Sequence, residues 1–555
     1  MQTRNAVRFA ALIALTGVSS IGSFAAESPS PLPRLVQTEG TYQLLVDGEP
    51  FLMLGGQANN STGTSAEVMA PLWDSLVAMH ANTVEIPIYW SAIEPEPGRF
   101  DFQSLDAILD GARRHHLRVV PLWFGSWKNG AFDYAPDWIK RDPDKYFLAI
   151  GARPTLSPFC AAAQEVDARA FAAVMGHLKE VDGAQHTVIL VQVENETGLI
   201  DTNRDYSAPA TRAYGEAVPA ALMRYLQDHR ASLMPNLTAA WSTSHFREAG
   251  TWEELFGPEL GPEIFSAWYV ARYVDAVAAA GKKVYPLPMY VNCALKNPGD
   301  ARPGDYNSGG PTINVLDVWK AAAPHIDLLT PDIYFPDFLT TAAAYRRADN
   351  PLFVPETGFF PSYAGYVFPT FATFDGLGFS PYGVDDGLKD GTLTPAGRVL
   401  GEYYRLLENL MPLVAKYRGT GKLHAVLQDA LPAPFGGARW RAQTIPVGQG
   451  LAAVARFNEP FSADLEAPRA AGIIIELGPD EFIVAGGGFQ VSFRELTGPA
   501  RYASFFRVEE GEFRDGQWQT QRLLNGDELS FFPPTHAAIM RVRLLRTTAG
   551  PTQPP

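Results

Sequence analysis

Val191-Gln192-Val193-Glu194-Asn195-Glu196-Thr197-Gly198 and Leu352-Phe353-Val354-Pro355-Glu356-Thr357-Gly358 share one pattern: an apolar, β-branched run that stops at an acid. A run that is apolar throughout, rather than alternating, is how a parallel strand buried on both faces reads. Each stretch therefore predicts a buried strand that carries a carboxylate to its C-terminal end. An acid is costly to bury unless its site uses it. Two such acids delivered in the same sense predict a single cleft.

The chain between and around these stretches alternates strand-like and helix-like segments. Strands are expected at 51–55, 82–88, 118–123, 187–194, 287–292, 326–334, 352–356 and near 376–380. Helical periodicity marks 66–79, 103–115, 164–181, 265–280, 315–323, 340–347 and 395–417, and a long insertion runs from Leu199 to about Pro262. Eight alternations over roughly 370 residues predict an α/β fold, a (β/α)8 TIM barrel, rather than a doubly wound sheet. No Gly-rich phosphate loop opens any of the helices, which removes the main reason to expect a nucleotide-binding fold. On a barrel the active site lies at the C-terminal ends of the strands, where both acids fall, at the ends of strands four and seven.

Outside the barrel, expected over 41–417, Gln43-Leu44-Leu45-Val46 turning at Asp47-Gly48 reads as a small hairpin. From about Gly419 the character changes. Gly and Pro punctuate short alternating runs at 450–457, 471–477, 481–485, 489–494, 505–510, 528–532 and 537–545. These predict a C-terminal antiparallel β-sandwich over 418–555, read as an accessory or packing domain. At the other end, Arg4 and Arg8 precede an apolar stretch from Phe9 to about Ile21, with Ser23-Phe24-Ala25 as a small-x-small cleavage site. Residues 1–25 are therefore expected to be a secretory signal and the Ser/Pro-rich 26–40 a linker, which implies a periplasmic or extracellular protein.

Composition bounds the function classes. The chain has 555 residues, with 46% hydrophobic and 12% aromatic content, which suits packed domains and more than one core. A net charge of −15 argues against nucleic acid or an anionic membrane surface as partner, whereas a neutral saccharide is indifferent to it. Only Cys160 and Cys293 occur, so no disulfide framework is expected, although one bridge is permitted. The ten histidines lack metal-ligand spacing, so neither a metal site nor a cofactor is anticipated.

The chemistry that two facing acids perform best is cleavage of a glycosidic bond. One carboxylic acid protonates the leaving oxygen while a carboxylate about 5–5.5 Å away attacks the anomeric carbon, the geometry that retains configuration. Glu196 and Glu356 are the candidates. Glu194 lies two residues before Glu196, hence on the same side of a strand, and is the alternative acid. It reads more simply as a support beneath the site. Glu85, inside a strand, reads as a buried, paired acid, and Glu94 as a tie for the loop after strand two. Trp90, Trp123, Trp127, Trp268 and Tyr382 are candidates for sugar-stacking walls, with core packing as the alternative for each. Asn292 and Lys128 are placed to reach sugar hydroxyls.

Gln192–Gly198 resembles the Q-x-E-N-E-[YF]-G signature of glycoside hydrolase family 35, the β-galactosidases of the clan A barrels. Val354-Pro355-Glu356-Thr357-Gly358 resembles the nucleophile segment of strand seven, and Asp332-Ile333-Tyr334 resembles the strand-six segment whose tyrosine bonds the nucleophile. The run from Trp90 to Phe102 is similar to the W-x-x-x-E-P-x-x-G-x-F-D-F run after strand two, shared with family 42. The resemblance covers residues 40–415. It implies Glu196 as acid/base, Glu356 as nucleophile, Asn195 on the sugar's 2-hydroxyl and Tyr334 beside the nucleophile. It also implies release of terminal β-D-galactose from oligosaccharides or plant polysaccharide side chains, with no cofactor. The chain departs from the animal and fungal pattern at Ser91, Ile93 and Thr197, and at the strand-three end, Trp123-Phe124-Gly125-Ser126-Trp127-Lys128-Asn129. Another clan A activity (β-glucosidase, β-mannosidase or endo-glycanase) and a silent carbohydrate-binding barrel remain the alternatives. The oligomeric state is not legible.

Overall fold

A computed structural model describes residues 30–38, 40–297, 299–300, 302–335, 337–429, 442–448, 450–496, 502–529 and 537–547. Eight parallel strands close a barrel: β4 (Met53–Gln57), β5 (Thr83–Tyr89), β6 (Arg118–Phe124), β7 (Val191–Val193), β8 (Met289–Ala294), β9 (Leu328–Ile333), β10 (Val354–Thr357) and β11 (Gly378–Pro381). Before them, β1 (Arg34–Thr38), β2 (Thr41–Val46) and β3 (Glu49–Phe51) form an antiparallel sheet. The β2–β3 turn is the expected Asp47-Gly48, both at positive φ (53° and 87°), the conformation of a type I′ hairpin. The linker expected over 26–40 is therefore partly strand: β1 pairs along its length with β2. Pairing with β2 and the half-buried Leu35 and Val36, rather than the Ser/Pro content ahead of them, decide Arg34–Thr38. The signal and its cleavage site lie outside the described residues.

Every strand of the barrel is buried because helices cover its outside and large side chains fill its inside. Met53, Leu122, Tyr290, Leu328 and Phe353 share an inner cluster with Leu44 and Val46 of the N-terminal sheet. The covering helices begin where the sequence places caps. Ser65 accepts from the backbone N–H of Val68 at the start of Ala66–Ala78, and Thr394 caps Pro395–Tyr417 with proline at its first position. A Thr251/Glu254 capping box opens the long helix Trp252–Val284. That helix begins 13 residues before its expected start at 265. Gly257, Pro258, Gly261 and Pro262 hide its first turns, and the chain kinks at Gly257 (φ 78°). The insertion after strand four carries three short helices, Ala208–Tyr214, Ala220–Asp228 and Pro235–Ser242. After strand seven the covering element is only Pro361–Ala364 and Val367–Ala372. Such short pieces leave no periodicity to read.

A small hairpin, β12 (Leu388–Lys389) and β13 (Thr392–Leu393), precedes the last barrel helix. The C-terminal region holds two antiparallel sheets. One has the order β14-β17-β18-β22-β20-β21, made of β14 (Leu423–Leu427), β17 (Ala471–Gly478), β18 (Glu481–Gly487), β22 (Ala538–Thr547), β20 (Tyr502–Arg514) and β21 (Gln517–Leu524). The other is β15 (Ala442–Val447), β16 (Leu451–Phe457) and β19 (Phe489–Glu495). The expected run at 528–532 lies mostly outside the described residues, and Gly526–Glu528 is a 3-10 turn instead. No helix among the described residues is long and apolar enough to cross a membrane.

Candidate active site

At Val193 the fourth barrel strand ends and the chain turns. Glu194 and Glu196 both adopt positive φ (62° and 45°), a conformation L-residues hold only when neighbours enforce it. The neighbours are visible. Asn292 Oδ1 accepts the Glu196 N–H at 2.9 Å, while Asn307 Nδ2 (2.8 Å) and the Gly130 N–H (3.1 Å) donate to the Glu196 carbonyl. Gly198, at φ 120°, must be glycine, since a Cβ there would lie 2.9 Å from the backbone of Asn307 and Gly310. The turn also breaks the two-residue alternation that would have pointed Glu194 and Glu196 the same way. Glu194 is wholly buried behind the site, its Oε2 accepting the Trp127 N–H at 2.8 Å. Asp167 lies against it and is held by Trp123 Nε1 and Ser126 Oγ. Burial, then the charge of Asp167, drives Glu194 well above the usual carboxylate range, which suits a support behind the site.

Glu196 itself is partly exposed and faces Glu356 and Asp332. One carboxylate oxygen from each of the three lies within 4.8 Å of the others. Burial first, then the charge of Glu356, pushes Glu196 up to about 7, against the pull of the Lys128 ammonium. Asp332 is raised too, by burial and then by the charges of Glu356 and Glu196. Tyr334 donates to Glu356 Oε1 at 2.6 Å, and its own carbonyl accepts from Tyr363 at 2.6 Å. Glu356 Oε2 and both amide atoms of Asn195 are buried without a partner. Polar atoms left so are costly unless a ligand completes them. The arrangement thus pairs a protonated acid with an oriented, hydrogen-bonded carboxylate across a cleft, the equipment for proton donation and nucleophilic attack at one carbon. Among the described residues these three acids are also the group with metal-ligand spacing. Asn292 Nδ2 donates to Asp332 at 2.7 Å.

The structure brings Glu196, Glu356, Asn195, Tyr334 and Tyr382 together. Burial, then the Glu356 charge, raises the Tyr382 phenol. Four other candidates are buried in packing or spent on neighbouring site residues. Trp90 is wholly buried, donating its Nε1 to Glu94 and packing on Trp123 and Trp138. Trp127 is wholly buried edge-on to Tyr273. Trp268 lies inside helix Trp252–Val284 within the main hydrophobic core. Asn292 spends its amide on Glu196 and Asp332 and positions them. In each case tertiary packing takes up a side chain whose type suits either role. Glu85 is the paired buried acid expected, accepting from Tyr290 at 2.9 Å, and Glu94 ties its loop through Trp90, Gly98 and Arg169. Cys160 and Cys293 are separate buried thiols. Asp332 is a site residue beyond those expected, and an acid inside the apolar run 328–333 carries the same signal as the two glutamates.

Residues 65–278 match the family model described as Beta-galactosidase, that of glycoside hydrolase family 42 rather than family 35. Residues 400–532 match a "Domain of unknown function (DUF5597)". Beta-galactosidase 14 of Arabidopsis thaliana is 25% identical over 203 residues, 34% of this chain and 21% of that protein. A beta-galactosidase of Xanthomonas manihotis is 28% identical over 204 residues, 35% of this chain and 31% of its own. The matched part thus spans a third or less of those relatives. The solved beta-galactosidase of Bacillus circulans sp. alkalophilus aligns over 65% of this chain and 57% of its own, at 13% identity and TM-score 0.45.

Proposed function

We propose that this chain is a retaining glycoside hydrolase that releases terminal β-D-galactose from oligosaccharides or plant polysaccharide side chains. The observation that carries the reading is the Glu196–Glu356 pair on strands four and seven, with oxygens within 4.8 Å and Glu196 raised to about 7. That spacing suits double displacement, whereas inversion needs room for a water between the acids. Glu356 attacks the anomeric carbon as Glu196 protonates the departing oxygen. Glu196, now a carboxylate, then takes a proton from the water that frees the sugar from the Glu356 ester. Loss of the Glu356 charge on esterification removes one of the causes that raise Glu196, which suits its change of role. Asn195, with its unpartnered amide, bonds the reacting sugar.

The match of 65–278 and the names of both relatives support the galactoside preference. The motif at Gln192–Gly198 supports the finer affiliation with family 35. A panel of nitrophenyl glycosides tests the preference, and a β-galactoside that proves the poorest substrate overturns it. Another clan A β-glycosidase activity is the second reading, favoured by the strand-three end, Trp123–Asn129, which departs from the animal and fungal pattern. Replacing Glu356 by Gly tests the mechanism: hydrolysis should collapse, and azide should restore turnover with a glycosyl azide as product. Wild-type rates in that variant would leave a carbohydrate-binding barrel. Export is proposed on Arg4, Arg8 and the apolar 9–21; recovery of the protein in the cytoplasmic fraction alone, with its N-terminus still at Met1, would overturn it.

A further inference from the structure

Tyr334 and Tyr382, the two phenols beside Glu356, are also walls of a cavity of 370 Å³ at the barrel mouth. The cavity's other walls include Phe360 and Asp386 of the barrel and Glu466 of the C-terminal sandwich. Its depth differs from that of the reacting centre. The unpartnered polar atoms of Asn195, Gln57 and Glu356 are buried at the C-terminal ends of the barrel strands, where a terminal sugar would complete them. Tyr334 and Phe360, by contrast, are 38% and 37% exposed. Exposed rings beside hydroxyl-accepting carboxylates suit the faces and edges of a neutral pyranose.

The sandwich reaches this rim by a braced loop. Leu465 O accepts the Ser362 N–H at 3.1 Å, and Glu466 N–H donates to Asp464 Oδ1 at 3.1 Å. Arg469 anchors the loop's far end on Asp429 (2.8 Å) and Tyr366 (2.6 Å), with Tyr403 donating to its carbonyl. A second cavity, of 390 Å³, shares Pro395 and Glu466 in its walls and lies between helix Pro395–Tyr417 and the sandwich. The rim cavity and the cavity at the domain boundary therefore adjoin through Pro395 and Glu466.

Resting on the glycosidase reading above, we propose that the rim cavity is the subsite for the leaving-group sugar, that Glu466 of the sandwich is a specificity-determining residue in it, and that the leaving group is a neutral oligosaccharide. Asp386 and Glu466 accept its hydroxyls and repel a leaving group that carries uronates.

The test uses the full-length protein and two substrates: β-galactosyl fluoride, whose leaving group is too small to fill the cavity, and a neutral β-galactosyl-terminated trisaccharide. In Glu466→Gln and in Phe360→Ala, the ratio of kcat/KM for the trisaccharide to that for the fluoride should fall about tenfold, chiefly through KM. The fluoride reports the amount of competent enzyme, so a partly unfolded Phe360→Ala preparation does not disturb the ratio. An unchanged ratio in both variants overturns the subsite. A wild-type protein inert toward the fluoride instead overturns the galactosidase reading beneath it.

Discussion

At the residue scale, proton occupancy of Glu196 is the quantity on which the site turns. Its raised value, about 7, means that kcat/KM should fall as pH rises through that value, because the ionised form cannot donate. Lys128→Met removes the charge that opposes the shift, so this basic limb should move to higher pH in the measured profile. The same raised value costs stability. Below pH 4.5 both folded and unfolded chains hold the proton; above it the unfolded chain releases its proton first, and stability falls until about pH 7. Glu196→Gln should therefore lose activity by about 10²–10⁴-fold on alkyl glycosides. It should nonetheless melt higher than the parent at pH 7.5, by on the order of a few °C, with the difference vanishing near pH 4. Calorimetry at the two pH values checks it. Tyr334→Phe removes the 2.6 Å hydrogen bond to Glu356 and should lower kcat/KM roughly ten- to hundredfold, the worth of a bond to a charged group.

At the scale of elements, the loop after strand two shows how one buried acid can organise a segment. Glu94 accepts from Trp90 Nε1 (3.0 Å), the Gly98 N–H (2.7 Å) and Arg169. Glu94→Ala leaves the buried Trp90 indole N–H unsatisfied and should cost roughly 1–3 kcal/mol in denaturant titrations. The Trp90–Phe102 run is thus informative about architecture, while its tryptophan does not touch the cleft. The strand-four end carries the opposite lesson. Its three-residue strand is too short for periodicity to be decisive, and the positive φ of Glu196 is held by Asn292, Asn307 and Gly130, partners from distant parts of the chain.

At the scale of the molecule, barrel and sandwich share a core. Ala471, Ile473, Ile475, Ile483, Ala485 and Ile539 of the sandwich belong to the same hydrophobic cluster as the barrel helices. Asn409 and Phe513 exchange two hydrogen bonds across the boundary, at 2.9 and 3.0 Å. A chain ending at 420 strips that apolar face bare and should be recovered as aggregate or lose its cooperative transition, whereas the whole protein should unfold in one. Size-exclusion chromatography and thermal circular dichroism distinguish the two.

Apolar runs ending in acids, and their alternation with amphipathic segments, determined the barrel and which two carboxylates it would present, because a buried parallel strand leaves an unmistakable local pattern. The sequence likewise determined the hairpin at Asp47-Gly48 and the helix Pro395–Tyr417, whose signals are local. Only the tertiary structure decided that Trp90, Trp127 and Trp268 pack inward, that Asn292 grips Glu196 and that Asp332 completes the acid cluster. It alone put Glu466 of the sandwich on the wall of the rim cavity. Each of these depends on which distant side chain fills a given space, and local composition carries no record of that.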